Sequence, residues 1–196
     1  MTPPDAGNIV QDAFDSGRID EGRERLDAWQ ASQPLSRDTF TTLRYYRAML
    51  GQNNEAIDAA KSMIELPSTD EWERMSDHLQ LGELYVGIGD LDSAWDALSV
   101  VLEWPELKDA YSVGMVRYTV ELALDISATA IRGDKWCEVA FDAAVRLLDD
   151  GCSTSFAILQ KARDCSERLG RGELFERFKR AAAKEFKEIE RQLKGR

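Results

Sequence analysis

Apolar positions recur at helical steps through most of this chain, and the clearest stretch is residues 78–105, HLQLGELYVGIGDLDSAWDALSVVLEWP. Leu81, Gly82 and Tyr85 share one face of a first helix. Gly87 and Gly89 then interrupt the pattern, and Gly89-Asp90 marks a turn. A second helix carries Leu91, Ala94, Leu98, Val101 and Leu102 as an apolar stripe, with Pro105 as its stop.

The same punctuation occurs twice more upstream. Gly51, Ala56, Met63 and Pro67 precede Gly89, Ala94, Val101 and Pro105 by 38 residues each, and Gly17 and Gly22 precede Gly51 and Ala56 by 34. The four extra residues between the second and third copies are assigned to a loop, PSTDEW, in which Ser68 or Thr69 is the candidate cap of the next helix. Three copies in phase identify a repeat rather than three unrelated hairpins.

These positions resemble the tetratricopeptide repeat. Leu81, Gly82, Tyr85, Gly89, Ala94, Leu98 and Val101 fall at the spacings of that family's signature, with His78 standing where its tryptophan would be. The resemblance implies an all-α fold, an α-solenoid of about five antiparallel helix hairpins wound as a right-handed superhelix, with a C-terminal capping helix. It implies one domain over residues 1–196, with clear repeats at about 6–34, 36–67 and 70–105 and degenerate hairpins at 106–150 and 151–196.

In the fourth hairpin residues 111–132 read as one long helix, Gly133-Asp134 as its turn and 136–149 as the partner helix. Glu138 falls where a small crossing residue belongs, and a slide of two residues restores Ala140. Residues 153–169 and 172–194 read as the last pair. The final helix carries Phe175, Phe178, Ala182, Phe186, Ile189 and Leu193 at steps of three or four. That spacing fits a helix covering its neighbour better than a coiled-coil seam.

Charge is unevenly placed. The formal net charge is −11, yet residues 151–196 carry +5 and residues 1–150 carry −16. An acidic body disfavours nucleic acid, and no apolar run is long enough to span a membrane. The N-terminal sequence has no secretory signal pattern, and Cys137, Cys152 and Cys165 lack disulfide-framework or zinc spacing. The expectation is a cytoplasmic protein.

The catalytic and cofactor signatures are missing. One histidine, His78, supports neither a two-histidine metal site nor an HExxH motif, and it reads as a packed helix residue. The Gly87-Ile88-Gly89-Asp90 cluster follows a helix, and Asp149-Asp150-Gly151 lacks an alternating acidic loop. Cys137 and Cys165 read as buried thiols; Trp29, Trp95, Trp104 and Trp136 read as packing residues. The sequence therefore points to no enzyme, cofactor, metal or small-molecule substrate.

In the resembling family the first helix of each pair lines a concave groove. The matching positions here are Gln11 and Phe14 in the first copy, Thr41, Arg44, Tyr45 and Ala48 in the second, and Leu79, Gln80, Glu83 and Val86 in the third. The family's basic, Asn-rich clamp for a C-terminal carboxylate is not matched, since Gln11, Thr42, Tyr45 and Glu83 stand at its positions. The implied function is a non-enzymatic adaptor or chaperone-like holder that grips a peptide segment or partner helix, with self-association left open. The alternative is an adaptor that docks an anionic membrane or nucleic acid through the basic C-terminal helix.

Overall fold

The computed structural model describes residues 5–68, 70–104, 109–152, 154–183 and 186–187. These form ten helices and no strand. Their contacts gather into two compact units, Met1–Gly89 and Asp90–Arg196, with the division at the Gly89-Asp90 turn.

The first unit contains α1 (Ala6–Ser16), α2 (Ile19–Ala31), α3 (Arg37–Met49), α4 (Asn53–Glu65) and α5 (Glu71–Ile88). α1 pairs with α2 and α3 with α4, while α5 packs on α4. Asp5, Ser36 and Asp70 cap α1, α3 and α5 by accepting backbone N–H groups, the role expected of short polar side chains before a helix. Gly17, Gly51 and Gly89 follow α1, α3 and α5 with φ of 68°, 73° and 79°, a backbone region where a Cβ is penalised. Ile9, Val10, Leu26, Leu43 and Leu50 form the core. At the α1–α2 crossing, a Cβ on Gly22 would lie 2.4 Å from Ala13 Cβ.

The second unit contains α6 (Leu91–Leu102), α7 (Ala110–Ser127), α8 (Gly133–Asp149), α9 (Phe156–Leu169) and α10 (Gly172–Ala181). α7 packs on α6, α8 and α9, and α10 rests on α8 and α9. Trp95 and Trp136 stack at 5.1 Å. Phe141 meets Phe178 edge-on at 6.0 Å, and both are fully buried.

Two expectations are corrected. The segment read as the loop PSTDEW is partly helix: Asp70 is the cap, Glu71 and Trp72 are already helical, and Ser68 instead donates its hydroxyl to Glu73 and to the Asp70 carbonyl. The candidate cap Thr69 lies outside the described residues. The four extra residues thus become the first turn of α5, which also runs one residue further at its end, to Ile88, and so has 18 residues against 13 in α3.

The second correction concerns Gly133, which does not turn the chain. α7 ends at Ser127, and Gly133 is the first residue of α8 with no positive φ. It is glycine because the chain approaches itself closely there: a Cβ would fall 1.8 Å from the Ser127 carbonyl oxygen. Glu138 is exposed and Ala140 fully buried, in keeping with the two-residue slide.

α10 buries Leu174 and Phe178, and Ala182 just beyond it is buried too. The positions Lys184, Ile189, Arg191, Leu193 and Lys194 of the expected last helix, and Pro105 at the expected end of the third repeat, lie outside the described residues.

Candidate partner-binding face of the first unit

α3 and α5 face one another across a cleft of about 260 Å³ floored by Met63 of α4. Arg37, in the first turn of α3, ties the two walls together. Its guanidinium donates to the Asp77 carboxylate and to the Met63 carbonyl (3.3 Å), and lies 3.4 Å from a Glu73 oxygen. The Asp77 side chain is only 5% exposed and that of Arg37 22%. A pair so far out of water costs desolvation energy, and it persists because each charge has the other. Its structural effect is to fix the separation of α3 and α5 at this end.

Further along, Arg44 reaches toward the same helix. Burial lowers its affinity for the proton, partly opposed by Glu83 and Asp77 on α5. His78 is half-buried beside Asp77 and Arg74, and burial, the largest influence, pushes its pKa down; its Nδ1 has no hydrogen-bond partner among the described residues.

The rim of the cleft is different in character. Trp72 is 46% exposed, and Glu73, Asp38 and Ser76 open beside it. Asp38 is exposed with no ion pair or hydrogen bond among the described residues. Glu73 accepts from Ser68 (2.8 Å) and keeps 39% of its side chain in solvent.

Of the positions read from the sequence, Thr41 and Gln80 line this cleft. Thr41 donates its hydroxyl to the Arg37 carbonyl, and Gln80 donates to Ser76. Arg44 and Glu83 oppose each other across α3 and α5. Tyr45 is 54% exposed and packs edge-on to Tyr46 at 5.1 Å. Ala48 and Val86 are half-buried. Gln11 and Phe14 lie on α1, apart from the cleft; Gln11 donates to Asp15 and Phe14 is 45% exposed.

Leu79 is buried, 8% exposed, and belongs to the packed side of α5. Sequence reasoning passed over Arg37, Asp38, Trp72, Glu73, Ser76 and Asp77. The available signal was Asp70: a helix capped there places Trp72, Glu73, Ser76 and Asp77 at i, i+1, i+4 and i+5, one face of the first turns.

Elsewhere, Cys137 and Cys165 are fully buried with their sulfurs 3.2 Å apart, and the hydrogen bond between them together with burial pushes the Cys137 pKa up. Among the described residues no group of three His, Cys, Asp or Glu side chains is placed to hold a metal, and no helix is long and apolar enough to cross a membrane. Three of the described cations on or beside α10 have carboxylate partners: Arg171 pairs with Glu138 and Glu173, Arg177 with Asp142 and Lys179 with Glu176; Arg180 donates to the Glu176 backbone carbonyl.

No family model matches the chain, and a search of curated proteins finds no match. Among solved structures, the chain is similar to the crystal structure of MamA, at 16% identity and a TM-score of 0.55, over 93% of this chain and 97% of that one. At that identity the likeness speaks of architecture alone, and the architecture is an all-helical fold of the tetratricopeptide-like solenoid class.

Proposed function

We propose that this protein is a non-enzymatic interaction module, an adaptor or chaperone-like holder, and that a segment of a protein partner lies against α3 and α5 of the first unit. The observation that carries this reading is the cleft between them: its walls are pinned by the buried Arg37–Asp77 pair while Trp72 stands exposed at its rim. Rigid walls with an exposed aromatic anchor are what recognition of a short segment requires, because little order remains to be imposed on binding. Tyr45 and Met49 extend exposed apolar surface along α3. The stacked-hairpin fold adds general support, since such folds present extended surfaces to other proteins.

Docking of an anionic surface by the C-terminal helix is the lesser reading. The apolar side of α10 is consumed by α8 and α9, and Arg171, Arg177 and Lys179 already have carboxylate partners.

The test is affinity capture from the source cells with the wild-type chain and with Trp72→Ala and Tyr45→Ala, read by mass spectrometry. A partner retained by the wild type and lost by the Trp72 variant, with helicity unchanged, is the expected result. Equal capture by all three chains would remove the face from consideration.

A further inference from the structure

The carboxylates lining the cleft outnumber its cations, and no lining cation is left free. Its lining holds Asp38, Glu73 and Asp77 against the single cation Arg37, and that cation is already held by Asp77 and Glu73. What remains toward solvent is the unpaired carboxylate of Asp38, the outer part of Glu73 and the exposed ring of Trp72. Gln80 adds an acceptor: its amide nitrogen is spent on Ser76, while its oxygen, shielded from water, receives no hydrogen bond. The unmet capacity of the site is for donors and positive charge.

We propose that the partner segment places an arginine or lysine side chain in this cleft, its cationic head against Asp38 and Glu73 and its flank on the Trp72 ring. This rests on the partner-binding reading above and specifies its chemistry. Tryptophan is the side chain whose ring face best attracts a cation, and the attraction adds to that of the carboxylates. Arginine suits the site better than lysine, because a planar guanidinium can stack on the indole while its edge donates to a carboxylate. The surrounding field favours the same sign, since residues 1–89 carry 16 acidic against 8 basic side chains, so a basic segment is drawn toward this unit before it docks. An anionic segment would meet Asp38 and Glu73 at the entrance and would have to strip Arg37 from Asp77, leaving a buried carboxylate unpaired.

The experiment is a nuclear magnetic resonance titration of the full chain with N-acetyl-arginine methylamide. Its neutral isostere, N-acetyl-citrulline methylamide, serves as the control, and the Trp72 indole signal is assigned by Trp72→Leu. Arginine amide is expected to shift that signal saturably, with citrulline amide about five-fold weaker or silent, in keeping with the worth of an exposed cation–π contact plus a carboxylate. Asp38→Asn with Glu73→Gln should weaken the arginine response by a similar factor, whereas Glu24→Gln, an exposed carboxylate on α2, should leave it unchanged. Equal shifts from the two amides would overturn the proposal, as would a response indifferent to the Asp38/Glu73 double variant or one spread evenly over the acidic surface. Should the amide fail while Trp72→Ala still abolishes partner capture, the charge assignment falls and the binding face stands.

Discussion

Arg47 offers a quantitative test of how the first unit is held together. Its side chain is 7% exposed, and it donates from α3 to Asp27 (2.7 Å) and Gln30 (2.5 Å) of α2 and to Gln52 (3.2 Å) before α4. The charge balance is lopsided, because the Asp27 side chain is 59% exposed. Removing Arg47 therefore strands no buried carboxylate, and the usual penalty for breaking an ion pair, about 3–5 kcal/mol when a charge is left in the interior, does not arise.

Arg47→Met keeps an unbranched stem of similar reach and abolishes the cost of desolvating a guanidinium. It should lie within about 1 kcal/mol of the wild type. Arg47→Ala loses the stem as well and opens a cavity among three helices, so about 2–3 kcal/mol is expected. Asp27→Asn weakens a screened, half-exposed attraction while Gln30 and Gln52 still hold the guanidinium, which should cost about 0.5–1 kcal/mol. The expected order of stability, from urea denaturation followed by far-UV circular dichroism, is Met and Asn near the wild type and Ala well below. A Met variant as unstable as the Ala variant would refute the reasoning, because charge rather than the packed stem would then be the source of stability.

Three further outcomes follow from the packing. Phe178→Ala removes a fully buried ring from the contact of α10 with Phe141 and should cost about 3–4 kcal/mol in the same assay; a change below about 1 kcal/mol would mean that α10 is not part of the core. Gly133→Ala forces a Cβ into the Ser127 carbonyl and should destabilise by about 2–3 kcal/mol, whereas Gly87→Ala, with nothing within 4 Å, should stabilise by about 0.5–1 kcal/mol; the reverse order in thermal melts would contradict the placement of α8. His78 has its folded pKa below the reference value of 6.5, so the unfolded chain binds its proton first as the medium acidifies. Its contribution is thus intact above that reference value and is lost as pH falls through it toward the folded pKa. Urea midpoints at about pH 7 and about pH 5 should differ less in His78→Gln than in the wild type, and an identical pH dependence would exclude this titration as a source of acid sensitivity.

Helix ends marked by glycine were the most readable part of this sequence. Gly17, Gly51 and Gly89 stand in repeat phase and all adopt positive φ, because each terminates a helix with nothing but backbone to decide the matter. Gly133 is spelled the same way and does the opposite, since its constraint is a carbonyl six residues earlier in the chain, which no local pattern announces. The cleft was partly legible for the same reason. Counting from Gly51 and Gly89 brings Thr41 and Gln80 to it and sets Arg44 opposite Glu83, but the count misplaces Leu79 because α5 buries a charged residue, Asp77, next to its apolar ones. That substitution of an ion pair for an apolar contact depends on Arg37, 40 residues away. Trp72 was missed because the residues before it, Pro-Ser-Thr-Asp, look like a connection, and the cap hidden among them was Asp70.

The lengthening of α5 has a consequence for how such a surface can change over time. Four residues advance a helix by about 400° and about 6 Å, only about 40° past a full turn, so an insertion of that size leaves every later side chain pointing almost where it did. Aligned on Gly51 and Gly89, the added turn is Glu71–Arg74, and it is this turn that supplies both Trp72 and Glu73. A duplication or deletion of one helical turn therefore raises or lowers the wall of the cleft without disturbing the packing below. Binding character could be gained or lost in a single insertion event, independently of the slow substitution that shapes the core.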